Sequence, residues 1–585
     1  MNPETKNCQN CKKDFVIEPE DFSFYEKIKV PPPTFCPECR SIRRMIFLNH
    51  LYLYRKKDIK TGDVIFSTYP EESWVKIYER DYWWSDAWDP MDYGKEIDFS
   101  KPFLKQVNEL NREVPWPSKS VRGNVNSDYS NQASYLKDCY LCINVGNSEN
   151  CLYCNFAVYI KDTIDVYGIL NSELCYEIYQ GEKNFQCFFC TDIGASRNIW
   201  FSRDMGDCSD CFGCVGLRHK KYCIFNEQYT KEEYEKKLKE FQTGSFSAVQ
   251  GIKKKLQELY LRSPHKYLHG VYNNNVSGDY IYSSKNSHNV FETDHLENVS
   301  YSQNLVNNVK DSYDYTNWGE NSELVYESVS CGDSCRNMKF CFDCWPAVRD
   351  SEYCMNCHSS ANLFGCVGLN KKQYCILNRQ YSKEEYRTLV EKIKKHMDEM
   401  PYIDKKGNVY KYGEFFPEEF SPFGYNETLA ISYHPKTKEE AIVARYPWRD
   451  TDEKEYKFTM SADGLPDQIN DVSDDATKEI IQCSSCKRAY RILDRELAFY
   501  RRFSIPLPRT CHYCRYVKRL SFRNINKLYK RKCQCAGAVS ENKTYSNTVS
   551  HFHGGDACPN EFETTYATDR PEIVYCEQCY NSEVA

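Results

Sequence analysis

Four cysteines near the N-terminus form two C-x-x-C pairs, Cys8 with Cys11 and Cys36 with Cys39. Four near the C-terminus repeat the plan, Cys483 with Cys486 and Cys511 with Cys514. In both sets 24 residues separate the pairs. Each tight C-x-x-C knuckle presents two soft thiolates, and two knuckles complete a tetrahedral Zn site with no position left open for water or substrate. The chemistry expected is therefore structural, a metal that supplies folding energy to a segment with little core of its own. Unmetallated core thiols or a redox pair are the alternative, and the repeated spacing disfavours it.

The surroundings repeat as well. FSFY and LAFY lie between the knuckles, and PPPTFCPECR and PLPRTCHYCR surround the second pair of each set. In these features each end of the chain, over about 40 residues, resembles the "probable zinc-ribbon" family of short bacterial domains. Those domains pair a C-x-x-C, an aromatic F-x-x-Y or F-Y element and a Pro-preceded C-x-x-C-R. The resemblance implies zinc at the eight cysteines and no particular activity.

The copying runs past the ribbons. LYLYRKKD matches LYKRKC, IFSTY matches EFETTY, and IYERDYWW matches VYCEQCYN, which sets Cys533 opposite Asp58, Cys576 opposite Glu79 and Cys579 opposite Tyr82. A second C-terminal zinc is expected on Cys533, Cys576 and Cys579 with one of Cys535, Cys558 or His553. Two to three zinc ions per chain follow. Two carboxylates and a tyrosine make a poor soft site, so the N-terminal half reads as degenerate, held by Trp83, Trp84 and Trp88 as core.

Between the ribbons the chain is duplicated. NSELCYE from Asn171 recurs as NSELVYE from Asn321, and KKYCIFNEQYTKEEY recurs as KQYCILNRQYSKEEY. Asn or Asp marks a finer period of roughly twelve: Asp138, Asn150, Asp162, Asn184, Asn198 and Asp210, then Asn289, Asn298, Asp311, Asn337, Asp350 and Asn362. Alternating strands with corners that tolerate the left-handed conformation predict a solenoid with about two such units per coil. A helix then closes each copy, capped by Thr230 with Glu233 and by Ser382 with Glu385. The fold expected is mainly β with α: a duplicated, parallel β-helix-like solenoid with helical caps, flanked by zinc-ribbon modules. The segments are 1–118 (ribbon and degenerate half), 119–229 (first copy), 230–270 (cap), 271–381 (second copy), 382–480 (helix and connection) and 481–585 (ribbon and second zinc). The solenoid adds further C-x-x-C pairs, such as Cys139 with Cys142 and Cys354 with Cys357. Residues i and i+3 of an extended strand face opposite ways, so inward thiol packing is favoured over additional zinc or iron–sulfur sites.

At 585 residues the chain exceeds a single domain. It opens MNPETKNCQN without an apolar signal core, and its 32 cysteines suit a reducing cytoplasm. No apolar run is long enough to span a membrane. The net charge of -6 averages a basic C-terminal stretch against an acidic remainder. Arg40, Arg43 and Arg44 follow the first ribbon at helical spacing. Arg501, Arg502, Arg515, Lys518, Arg519, Arg523 and Lys530 cluster at the second. Basic side chains interleaved with tyrosines predict nucleic-acid binding, RNA or DNA. The bland alternative is a solvated helix face, or one docked on the acidic solenoid of the same chain. The other function classes are a protein-interaction scaffold built on the solenoid and a β-helix carbohydrate-active enzyme using Asp162 with Asp165 and Asp311 with Asp314. No Walker loop, dinucleotide fingerprint or nucleophile elbow is present, and nothing identifies a small-molecule substrate.

Overall fold

The computed structural model describes residues 2–450 and 457–584. It is mainly β, built on a duplicated solenoid of short parallel strands. In the first copy neighbouring strands are offset by 12 residues, Asn155 lying beside Ile143 on one side and Tyr167 on the other. In the second copy the offset is 12 at Lys285 and Glu297, widens to 13 through the run Lys310, Glu323, Arg336 and Arg349, and returns to 12 at Ala361. One Asn/Asp unit therefore makes a whole coil, where two had been expected. The cause is the backbone: almost every third residue is left-handed, for example Asp162 (φ 48°), Asp165 (φ 58°), Gly168 (φ 68°) and Asn171 (φ 47°). With a corner at every third position the chain closes after four. A non-glycine residue held there costs on the order of 1–3 kcal/mol and persists only where its surroundings over-determine it, which the hydrogen bonds to the coils above and below do.

This geometry gives the side chains a period of three. The residue after each corner points inward, so Cys139, Cys142, Val145, Ser148, Cys151, Cys154, Ala157 and Ile160 are all buried. The expectation of inward thiol packing holds, but for a different reason: residues i and i+3 share a face here. The narrow interior takes small side chains, and these serve the backbone. Cys142 donates to the Cys151 carbonyl (3.3 Å) and Cys154 to that of Thr163 (3.4 Å). Ser148 Oγ donates to Gly146 O (2.7 Å) and accepts from Ile160 N one coil on (3.2 Å). Of the Asn/Asp markers, Asp138, Asn150, Asp162, Asn198 and Asp210 in the first copy and Asn289, Asn298, Asp311, Asn337, Asp350 and Asn362 in the second sit at left-handed corners. They form outward ladders such as Asn150 Nδ2 to Asp162 Oδ1 (3.1 Å). Asn184 is out of phase with them. It points inward, donating to Ile193 O (2.9 Å) and accepting from Ser196 N (3.2 Å).

Each copy ends in the same way. Asn226 and Asn378 mimic a further strand: their amides accept from Val215 N and Val367 N (both 2.8 Å) and donate to the same residues' carbonyls (2.8 and 2.7 Å). An antiparallel turn follows, and then the helices Lys231–Leu238 and Lys383–Glu399 with their capping boxes. Both helices pack on the last solenoid strand, which manages the exposed sheet edge.

The chain folds into two compact units, and neither is continuous in sequence. The first comprises Met1–Ser120, Leu268–Asp450 and Ile525–Leu528; the second comprises Val121–Tyr267, Thr451–Asn524 and Tyr529–Ala585. The N-terminal ribbon thus shares a unit with the second solenoid copy, and the C-terminal ribbon with the first. The described residues after the second capping helix are built into both units. Tyr410, Phe415, Phe416 and Phe420 are buried in the first unit, Phe415 N donating to Glu327 (3.1 Å). Met460–Ser461 adds a parallel strand to Ile481–Gln482 in the second. The acidic stretch that follows forms short 3-10 turns at Ile469–Asp471 and Asp474–Thr477. Among the described residues no helix is long and apolar enough to cross a membrane.

Candidate metal centres and the surface they brace

In the first ribbon an antiparallel hairpin, Glu4–Asn7 with Asp14–Ile17, presents the Cys8–Cys11 knuckle, and Cys36 is the N-cap residue of the helix Pro37–Met45. The second ribbon places Cys511 as N-cap of His512–Leu520 in the same manner. Helix N-termini favour thiolates. In each ribbon the four sulfurs lie within 4.8 Å of one another, with Cys11 and Cys36 at 3.7 Å and Cys486 and Cys511 at 3.6 Å. A tetrahedron with Zn–S bonds of ~2.3 Å has edges of about 3.8 Å. The Cys36 and Cys511 amides donate to Cys8 and Cys483 (both 3.3 Å), so both sites have the same supporting hydrogen bond. Both four-cysteine sets could hold a metal ion.

A third set gathers Cys533, Cys558, Cys576 and Cys579. Cys558 is thus the fourth ligand among the candidates, 3.9 Å from Cys576, and Cys576 N donates to Cys533 (3.2 Å). Cys535 does not join them. It falls in a fourth group with His551, His553 and Cys579. Sequence reasoning missed His551; the signal available was the H-x-H of His551 and His553 close behind the C-x-C of Cys533 and Cys535. The solenoid cysteines belong to none of the converging groups found among the described residues.

The N-terminal counterpart replaces metal with hydrogen bonds. Asp58 accepts from Lys60 N (2.9 Å) and Thr61 Oγ (3.1 Å), closing a turn. Glu79 caps the helix Arg80–Trp84 by accepting from Asp81 N (2.7 Å) and Tyr82 N (3.2 Å). Trp83 is buried, its indole donating to Pro115 O (2.9 Å), and Trp88 donates to Trp83 O (2.8 Å). His358 packs among Trp83, Trp84 and Trp345, and burial pushes its pKa from 6.5 down to about 4. Between those pH values the unfolded chain binds a proton that the folded ring refuses, so stability rises with pH across the window and falls on acidification. The loss should approach ~3 kcal/mol. Denaturant unfolding of the native protein and His358→Gln at pH 4–6.5 tests this; a stability difference that stays constant across the range would refute it.

Five of the arginines expected to face phosphates, Arg40, Arg43, Arg44, Arg515 and Arg519, are buried instead. In the first unit the helix Pro37–Met45 packs on the strands Val309–Thr316 and Glu323–Val329. Arg40 Nε lies 2.9 Å from Asp314 and Arg44 Nη1 3.0 Å from its other oxygen, while Arg43 reaches Glu327 (2.7 Å) and Glu414 (3.0 Å). The three guanidinium side chains are at most 1% exposed. In the second unit Arg515 and Arg519 meet Asp165 at 2.6 and 2.9 Å. The receiving face is one column of solenoid corners, Tyr153, Asp165, Glu177 and Phe189 in the second unit and Tyr301, Asp314, Glu327 and Phe340 in the first. The column explains the choice of residues: aspartate tolerates the left-handed corner and presents its carboxylate to the ribbon helix. Of the remaining cations, Arg501 pairs with Asp474 (2.5 Å), Arg523 is half-buried, and Arg502, Lys518 and Lys530 are exposed.

The carboxylate pairs considered for catalysis are occupied likewise. Asp165 and Asp314 hold the arginines, Asp162 accepts from Asn150, and Asp311 meets Lys27 (3.1 Å). An open hollow of about 330 Å³ in the second unit is bordered by Asp162, Arg495 and Arg502 and contains no nucleophile or acid–base pair.

No family model matches the chain, and no curated protein matches it. Solved structures that align with it include a chain named as an acetyltransferase from Desulfovibrio desulfuricans G20, 11% identical over 49% of this chain and 86% of its own, with a TM-score of 0.10. Another is the UDP-N-acetylglucosamine acyltransferase from Campylobacter jejuni, 8% identical over 51% of this chain and 100% of its own, with a TM-score of 0.08. Superpositions of that quality carry no argument about fold or activity.

Proposed function

We propose that this protein is a non-catalytic interaction scaffold, a pair of solenoids braced by zinc in both ribbons and in the Cys533, Cys558, Cys576 and Cys579 set. The observation that supports it best is the use of the ribbon arginines: Arg40, Arg44, Arg515 and Arg519 are held by solenoid acids within their own unit and are withdrawn from any phosphate-binding face. Buried ion pairs of this kind orient one element on another more than they add stability. The exposed solenoid faces alternate in sign, as in Lys137 with Glu149 (2.8 Å), Lys310 with Glu297 (3.2 Å) and Arg336 with Glu323 (3.7 Å). Such a ladder gives little field to steer a polyanion. It suits a polar protein partner, with Tyr135 and Tyr159 half or more exposed along it. The thiols and thiolate sites suit a reducing compartment.

The test is a metal inventory combined with affinity capture after nuclease treatment. The expected result is at least three zinc ions per chain and a stoichiometric protein partner that survives the nuclease. Salt-sensitive retention of RNA or DNA, or iron in place of zinc, would overturn the reading.

A further inference from the structure

The third and fourth ligand groups share one sulfur, Cys579. We propose that the C-terminal module holds a binuclear zinc centre, with Cys579 bridging a Cys533, Cys558, Cys576 site and a Cys535, His551, His553 site. The proposal rests on the reading of zinc as the structural ion.

Three observations carry it. The first is convergence. The ligand atoms of each group lie within 4.8 Å of one another, with Cys535 Sγ 3.1 Å from His551 Nδ1 and His553 Nε2 3.3 Å from Cys579 Sγ. The second is the orientation of the imidazoles. His551 Nε2 donates to Glu583 (2.8 Å), both side chains fully buried, and His553 Nδ1 donates to the Asp556 carbonyl (2.7 Å). With the outer nitrogens protonated, both lone pairs point inward at the sulfurs, the carboxylate- or carbonyl-held arrangement typical of metal-bound histidines. Glu583 is itself fixed by Thr548 N (2.9 Å) and Tyr545 OH (2.8 Å).

The third observation is charge. Four thiolates around one divalent ion carry two surplus negative charges in a module whose Cys533, Cys535, Cys558, Cys576 and Cys579 are all buried. A second ion, added with one more thiolate and two neutral imidazoles, leaves a single surplus charge. Burying less uncompensated charge is the cheaper state. No bond other than metal–ligand bonds forms; each cysteine gives up its proton to solvent on binding.

The decisive experiment counts metals in the full chain by native mass spectrometry and elemental analysis, then repeats the count on the cobalt-substituted protein. Four ions per chain are expected. Cys579→Ser should lose two, and the double variant His551→Ala with His553→Ala should lose one. In the cobalt form two of the four ions should be magnetically coupled through the shared sulfur and lose their low-temperature paramagnetic resonance signal. Three ions per chain with the histidine variant unchanged, or four uncoupled cobalts, would overturn the bridge. Cys8→Ser and Cys483→Ser report on the scaffold reading separately, since each should lose one ion from a ribbon whether or not the bridge exists.

Discussion

Replacing Asp314 by alanine should destabilise the first unit by about 3–5 kcal/mol. The carboxylate receives Arg40 on one oxygen and Arg44 on the other, and it is itself fully buried. Removing it leaves two guanidinium charges with no route to water, and the remaining contacts, Phe35 O for Arg40 (2.8 Å) and Thr316 Oγ1 (3.1 Å), Tyr301 O (3.3 Å) and the more distant Glu327 (3.7 Å) for Arg44, do not replace a shared carboxylate. Most of the loss is the penalty of stranded charge. Asp314→Leu combined with Arg40→Met and Arg44→Met should therefore recover most of it, because a well-packed apolar replacement of buried ions is often neutral or stabilising. Denaturant unfolding of the three proteins measures this. A loss below about 1 kcal/mol for the single variant would show that the arginines escape to solvent and that the ribbon helix is not seated as described. Asp165→Ala should act the same way on the second unit.

The other large effect is expected from Cys36→Ser. Structural zinc contributes about 10–16 kcal/mol to small zinc-binding folds, as much as the whole stability of an ordinary domain. Cys36 is both one of the four sulfurs that could hold the ion and the N-cap residue of the helix that carries Arg40, Arg43 and Arg44, so on the zinc reading losing the site releases the ion-pair array as well. The variant should purify with one ion fewer than the native chain. Amide exchange should rise over residues 2–120 and 268–450 while the second unit stays protected. One ion fewer with full protection of the first unit would contradict the coupling of ribbon to solenoid.

The ribbons were legible because four ligands at fixed spacing leave little freedom of interpretation, and the duplication was legible because the sequence repeats itself. The coil was harder. A solenoid with a left-handed corner at every third residue has no period of two or 3.6, and the C-x-x-C pairs of the core, Cys139 with Cys142 or Cys354 with Cys357, look like metal knuckles until that period is known. The arginines misled for a related reason: Arg40 and Arg515 have the composition of a phosphate-binding face, and only the column with Asp314 and Asp165 reveals their partners, 274 residues away in the first case. His551 was missed although the H-x-H with His553 marks it, because its partners, Cys535 and Glu583, lie 16 and 32 residues along the chain without a regular spacing.

The exchange of ribbons between the two solenoids governs when each half of the molecule can form during synthesis. Arg44 leaves the ribosome 270 residues ahead of Asp314, and Asp165 precedes Arg519 by 354. At a translation rate of about 5–20 residues per second the first of these intervals lasts roughly 15–55 s. Throughout the second, the aromatic and acidic column of the first solenoid has no ribbon to cover it. Neither half can complete itself on the nascent chain until most of the message has been read. A chain terminated near residue 450 would keep the Lys253 contact to Glu177 (2.6 Å) but would leave Tyr153 and Asp165 without their ribbon partners.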